Sequence, residues 1–471
     1  MAGTRTTAII VATALFMQNL DSAAVATALP AMARGLDVDP ARLGVAITSY
    51  LVALTVFIPV SGWIADRFGA KRVFLAAIAL FGLASAACGL ADGLGALVLA
   101  RIAQGMAGAM MVPVGRLLLL SHTPKSEMLT AMTWLTMPAM LGPIMGPPLG
   151  GLLTDLFGWR AVFWINLPVA AIGLVLVAWK IAPLPSAHPG PPDLRGLLLV
   201  GVTLAGVMAG IETIGRGVLP APLPLLLLAL GLSAGVLALR HCRRVARPAL
   251  DLGLLRAPSF HHAALAGSLF RIGAGAVPFL VPLLLQLGFG WSATEAGFVA
   301  FATALGAFAM KPLARPILRR FGFRTALAVN GVLAAAGVAV GAAFTPAWPI
   351  AAIFLALAAG GLFRSLQFTA LNTLAFADVA KDRLSAATSF YGTAQQLPPA
   401  LGVALASAVL EASRHFAGRD GLAAPDFTAA FLVAALMVLA QAPLALRLPR
   451  EVGAEVAGRA PPALDARGPK A

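Results

Sequence analysis

The sequence predicts an all-α polytopic membrane protein: two six-helix halves with two helices inserted between them, fourteen transmembrane helices in all. Three observations lead there. Of 471 residues, 59% are hydrophobic and 11% charged, whereas a soluble domain is about half apolar and about a quarter charged. Apolar runs of about 20 residues, the length a helix needs to cross a bilayer, recur along the whole chain. The chain also repeats itself weakly: DRFGAKR (66–72) follows the second run and RRFGFRT (319–325) follows the tenth, 253 residues later.

In order, the predicted spans are 7–29, 43–64, 73–91, 95–118, 131–153, 161–181, 195–215, 221–240, 260–285, 294–313, 325–344, 348–371, 386–410 and 427–447. The first carries Gln18, Asn19 and Asp21 and leads straight into another span, so it reads as a retained helix, not a cleaved signal peptide. The last can fray at Pro443. The repeat aligns spans 1–6 with spans 9–14 and leaves spans 7 and 8 as an insert. The predicted units are therefore 1–181, an N-terminal half; 182–259, linkers and the inserted pair; and 260–450, a C-terminal half. Residues 451–471, rich in Ala, Gly, Pro and charge, read as a disordered cytoplasmic tail.

The net charge of +15 could suggest nucleic acid, but the positives fall between apolar segments. With both termini placed in the cytoplasm, 23 of 34 Lys and Arg lie on the cytoplasmic side and six outside. The remaining five, Arg101, Arg116, Arg271, Lys311 and Arg364, lie within spans. That asymmetry is the positive-inside pattern. It predicts a multi-pass membrane protein with both termini cytoplasmic that contacts lipids and binds no nucleic acid. Two cysteines, Cys88 and Cys242, imply no disulfide framework.

GWIADRFGAKR (62–72) has the chemistry of a gating loop. Gly62 permits close helix approach, and Gly69 a tight turn. Asp66 can face the N-terminal end of a neighbouring helix, while Arg67, Lys71 and Arg72 sit at an anionic leaflet. In GPIMGPPLGG (142–151), Gly142, Gly146 and Gly150 leave one helix face bare. Pro143 and Pro147 remove backbone donors, predicting a kinked fifth helix at the interface between halves. Gly151 closes the motif.

These stretches resemble the major facilitator superfamily. GWIADRFGAKR is similar to its signature loop, LVLARIAQGMAGA (97–109) to its fourth-helix motif, and GPIMGPPLGG to its fifth-helix antiporter motif. LDSAAVATALP (20–30) and WRAVFWINLP (159–168) resemble marks of the fourteen-span drug:proton antiporter family, and MMVPVGRLLLL (110–120), RIGAGAVPFLVPLLLQLGFG (271–290) and LNTL (371–374) its MdtD branch. The first-helix motif departs from that pattern. Ser22-Ala23-Ala24-Val25 stands where Thr-Ile-Val-Asn is usual, so the Asn is lost. The resemblance implies a major facilitator fold working as a proton-coupled exporter of small molecules or drugs. It also marks Arg101 as the buried arginine used in proton coupling.

Asp21 needs a partner or a task, since a carboxylate at a span's centre costs about 2.5–3.5 kcal/mol on the gentlest scale. Arg101 enters span 4 from the outer face to a similar depth, so the two can pair either for coupling or as a static bridge. The other buried cations outnumber the acids; Glu212 lies near an outer end, where Arg216 can pair with it. Arg116 and Lys311 can snorkel to inner-leaflet phosphates, whereas Arg271 is too deep to do so. Arg116, Arg271, Arg364, Gln104, Gln367 and Asn372 are the substrate-contact candidates, each also readable as helix packing. The surplus of cations suggests organic anions or metal–carboxylate chelates as an alternative cargo.

No GxxxxGK[ST] phosphate loop is present, so ATP is not the predicted energy source. HExxH, GxSxG and paired intramembrane carboxylates are also missing, which disfavours a membrane enzyme, and the repeated halves disfavour a channel. His261 and His262 lack a third ligand, so no metal and no cofactor is predicted. The predicted partners are a small-molecule substrate, protons and lipid, bound by a monomer.

Overall fold

The computed structural model describes residues 4–38, 40–184, 190–213, 220, 222–419 and 422–458. Among them, eleven helical stretches are long and apolar enough to cross a membrane. One of these, Glu295–Ala343, has 49 residues, about 73 Å of helix at 1.5 Å per residue. That is more than twice the hydrocarbon thickness. It breaks at Gly322 (φ 74°, ψ 168°) and is two spans. Met128–Phe157 and Leu384–Phe416, of 30 and 33 residues, complete fourteen. Leu384–Phe416 is less apolar because Ser385, Thr388, Ser389 and Thr393 are buried in protein, not exposed to lipid.

The spans are thus Thr4–Leu36, Pro40–Phe57 running on through Ser61–Phe68, Ala70–Gly89, Leu94–Ser121, Met128–Phe157 and Ala161–Lys180 for the first half. Leu194–Thr213 and Pro222–Cys242 are the insert. Pro258–Gly288, the two parts of Ala293–Ala339, Ile350–Leu374, Leu384–Phe416 and Ala424–Leu446 follow. The two halves share one packing scheme. Span 1 packs on span 5 as 9 on 13, span 2 on span 4 as 10 on 12, and span 3 on span 6 as 11 on 14. Between the halves, span 13 lies on spans 2 and 4, and span 5 lies on the 10–11 helix and on span 12. Gly69 (φ 87°) and Gly322 (φ 74°), 253 residues apart, hold the same left-handed turn.

The insert is a glycine-packed pair: a Cβ on Gly206 would come within 2.8 Å of Gly231 Cα. Span 7 rests on spans 2 and 13, covering the seam between halves at one side. Asp193 anchors its start, accepting from Gly196 N (2.9 Å), Ala249 N (3.1 Å) and the His241 ring (2.8 Å). Burial pushes that carboxyl up, but these donors outweigh it and hold it below the usual carboxylate range.

Two details differ from the sequence expectation. The last span breaks at Ala440, ahead of Pro443, because Pro443 has no N–H for the Leu439 carbonyl. Order also continues past Arg450 to Gly458. Val456 and Ala457 are buried, and Gly453 turns against Phe323 and Leu374, so these apolar residues pack where composition alone predicts disorder. Residues 459–471, the Arg216 side of the Glu212 pair, and the Glu212, Pro143 and Pro147 side chains lie outside the description.

At Gly69 an added Cβ would meet nothing within 4 Å, so the cost of a side chain there is conformational alone. Gly69→Ala should lower the unfolding free energy by about 1–2 kcal/mol, read as a lower thermal midpoint of the purified protein. An unchanged midpoint would mean the left-handed turn is not required.

Candidate functional site

Four helix faces converge on Asp21. On span 4, Arg101, Gln104, Gly105 and Gly108 follow the i, i+3, i+4, i+7 spacing of one face. Gly105 allows that face to press on span 2; a Cβ there would sit 2.5 Å from the Tyr50 carbonyl oxygen. This approach lays the Arg101 guanidinium 4.2 Å from the Tyr50 ring centroid. Arg101 Nη1 donates to Asp21 Oδ2 and to Gln104 Oε1, each at 2.6 Å. Gln104 Nε2 (2.9 Å) and Asn166 Nδ2 (2.8 Å) both donate to Asp21 Oδ1. Behind them, Asn166 also donates to Ser85 Oγ at 3.0 Å, and Ser85 donates to the Phe163 carbonyl at 2.9 Å.

Asp21 is 0% exposed and Arg101 1%. The network lies wholly within the N-terminal half, away from the seam. Gln104, expected as a substrate contact, is therefore a member of the Asp21 network, because its amide is used up by Asp21 and Arg101. Asn166, Ser85 and Tyr50 escaped the sequence reading, although Asn166 stands inside the quoted WINLP stretch.

The glycine face of span 5 also packs inside this half. Cβ atoms on Gly142 and Gly150 would approach Asn19 Cβ (2.7 Å) and Ala24 Cα (2.8 Å), and one on Gly146 would collide with Ala23. The bare face thus meets span 1 on either side of Asp21, not the opposite half, and the helix runs unbroken from Met128 to Phe157. Ala23 and Ala24, the departure in the first-helix motif, are small enough to accept that contact. Gly151 meets nothing within 4 Å.

The seam is closed on the face that carries the 66–72 turn. Ser385, at the start of span 13, donates to Asp66 Oδ2 at 2.5 Å, and a Cβ on Gly62 would sit 2.7 Å from the Ser385 carbonyl oxygen. Lys71 donates to the Ala178 carbonyl at 2.8 Å. Arg67 and Arg72 are exposed.

Deeper in the seam, the 3-10 turn Ile58–Val60 presents the Ile58 and Pro59 carbonyls to Ser389 Oγ, at 2.9 and 2.8 Å. Across the pseudo-twofold axis, Lys311 Nζ donates to Thr136 Oγ1 at 2.9 Å and to Thr369 Oγ1 at 3.1 Å. Ile58 and Lys311 are 253 residues apart, as are Pro59 and Pro312, and Thr136 and Ser389. The two contacts are repeat equivalents, and together they form a two-point latch between the halves.

The remaining cations cluster beside the latch without a carboxylate. Arg271 donates to Tyr391 OH (2.8 Å) and Asn372 Oδ1 (3.1 Å) and lies over the Tyr391 and Phe368 rings. Arg116, from the other half, lies over Tyr391 and Phe376, and its Nε and Nη1 have no hydrogen-bond partner. Arg116 is 6% exposed and Lys311 3%, so neither snorkels; both point into the seam between halves. Arg364 makes no hydrogen bond among the described residues. Gln367 faces span 11, accepting from Asn330 at 2.7 Å, and serves packing there. Sequence reasoning missed Tyr391, although the chain has only two tyrosines and each lies beneath a buried arginine.

Residues 11–242 and 263–467 match the Major Facilitator Superfamily profile. The chain belongs to the major facilitator superfamily. Relatives provisionally named multidrug resistance protein MdtD match it along most of its length. That of Pectobacterium atrosepticum is 35% identical over 445 residues, covering 93% of this chain and 95% of its own. That of Pectobacterium carotovorum subsp. carotovorum is 38% identical over 410 residues, covering 85% and 86%. That of Escherichia coli O9:H4 is 35% identical over 453 residues, covering 95% of each. The human organic anion transporter MFSD10 shares the fold, with a TM-score of 0.68 at 16% identity over 94% of this chain and 100% of that one. This superfamily member is a multi-pass membrane transporter of small molecules, not an enzyme. Among the described residues no cluster of His, Cys, Asp or Glu could hold a metal ion.

Because Asp21 and Arg101 are sealed from water, removing one strands the other. Arg101→Ala should cost about 3–5 kcal/mol of stability, as for a broken buried pair, and adding Asp21→Asn should recover part of it. Thermal unfolding of both variants tests this; a double variant no more stable than Arg101→Ala would rule out charge stranding.

Proposed function

We propose that the protein is a proton-driven exporter of the inner membrane, with both termini cytoplasmic, moving small molecules outward by alternating access. The observation that supports this best is the sealed Asp21–Arg101–Gln104–Asn166 network. An intramembrane carboxylate that can exchange a charged partner for a proton is a two-state element. Asp21 carries the proton and Arg101 is its competitor. When Asp21 is ionised it holds spans 1, 4 and 6 together; when it is protonated, Arg101 keeps Gln104, the Ala46 carbonyl and the Tyr50 ring.

Span 5 is locked to span 1 around Asp21 and also lies on the opposite half, so a shift at Asp21 reaches the seam through it. The face closed by Asp66–Ser385 and by the latch is then the cytoplasmic one, and the conformation is outward-facing. The relatives named for multidrug resistance favour drugs as cargo.

Asp21→Asn should bind substrate yet lose export driven by an imposed pH gradient in everted vesicles. Export at the wild-type rate would place coupling elsewhere.

One observation favours a second reading of the cargo, as organic anions or metal–carboxylate chelates. Arg116 and Arg271 come from opposite halves, share Tyr391 and lack an acidic partner. A transported anion would supply the missing charge when the seam opens. In that case Arg116→Gln and Arg271→Gln each weaken uptake of carboxylate probes into everted vesicles and spare cationic dyes. Equal loss of both probe classes would reject the anion reading.

A further inference from the structure

A cavity of about 610 Å³ lies apart from the seam, in a groove between spans 2 and 3 backed by span 4. Its walls are apolar: Phe57 and Ile64 from span 2, Val73 and Leu80 from span 3, Met106 and Met110 from span 4. Its mouth carries Arg67 and Arg72, both exposed. Neither makes a hydrogen bond or ion pair among the described residues, and no acidic side chain lines the cavity. Asp66 is turned away to Ser385, and Lys71 is committed to the Ala178 carbonyl.

From Arg72 to Leu80 the groove follows span 3 for about 12 Å at 1.5 Å per residue. That is most of one leaflet's hydrocarbon depth, about 15 Å. Two free cations at headgroup level above an apolar trough of that depth match one kind of molecule.

We infer that this groove is a binding site for an anionic diacyl phospholipid. An acyl chain lies along Val73 and Leu80, and the headgroup phosphate is held between Arg67 and Arg72. The shared chemistry is a phosphate monoanion, and the apolar trough selects the lipid over a free phosphate. The site is on the turn that closes the seam, since Gly69 joins Arg67 to Arg72 and Asp66 precedes them. A bound lipid therefore braces the Asp66–Ser385 contact from the membrane side. This goes beyond the transport reading and does not depend on the cargo or the coupling ion.

The test uses the purified full-length protein in neutral detergent and follows the thermal midpoint during lipid titration. Phosphatidylglycerol, phosphatidylcholine with the same chains, and glycerol 3-phosphate are compared. A juxtamembrane Lys or Arg contributes about fivefold in affinity for an acidic lipid. Phosphatidylglycerol should therefore half-saturate at a mole fraction at least about tenfold below phosphatidylcholine, and glycerol 3-phosphate should do nothing. Arg67→Gln and Arg72→Gln should each shift the phosphatidylglycerol titration about fivefold, and the double variant should erase the preference.

Ala76 lines the groove and is exposed, so Ala76→Phe fills the trough while keeping both charges. It should weaken the response to both lipids. Equal titration by the two lipids in the wild type, a preference surviving in the double variant, an undiminished response in Ala76→Phe, or stabilisation by glycerol 3-phosphate alone would each overturn the assignment.

Discussion

A carboxylate in hydrocarbon must have both of its oxygens answered by protein, and that requirement organises the N-terminal half. Three donors from two helices converge on Asp21, and Tyr50 of a third underlies its arginine. To bring them within reach, span 4 has to press against span 2 at Gly105. Span 5 has to fit span 1 through glycines on both sides of the charge. The glycine motifs are thus consequences of the charge as much as packing devices. Assigning the fifth-helix glycines to the interface between halves, as the sequence does, overlooks how much surface a buried ion pair claims for itself.

The C-terminal half keeps the scaffold and drops the charge. Ala274 stands where the repeat would place Asp21, and Phe354 where it would place Arg101. Its polar resources are moved to the seam instead, as Arg271, Lys311, Asn372 and Tyr391. One half therefore holds a sealed ion pair, and the other a cationic surface that faces its partner without a carboxylate. The two halves thus share a scaffold but place their charge differently, one inside its own helix bundle and the other at the seam.

Much of this was legible in the sequence. Span positions follow from apolar run length, and the pairing of halves from the repeated turn, because both depend on local composition. The Asp21–Arg101 pair was legible from matching depth on antiparallel spans. Asn166 and Ser85 were not, since a lone amide or hydroxyl in a span carries no charge to demand a partner. Gln104 and Gln367 were misplaced as cargo contacts for a related reason. Helical spacing gives the face a residue shares, but not which neighbour that face meets. Arg116 and Lys311 look free to snorkel on depth alone; only the contact between halves shows that they point inward. The ordered stretch 451–458 was hidden because four apolar residues in a charged tail fall below any compositional signal.

The two-point latch has a mechanical consequence. A single contact on an axis would let one half swivel against the other in the membrane plane. Two equivalent contacts displaced to either side of that axis resist torsion, yet both sit on the same face and give way together when the halves tilt. The duplicated Ile58-Pro59 and Lys311-Pro312 positions thus act as paired bearings: they resist twist between the halves, and neither contact can open far while the other stays shut.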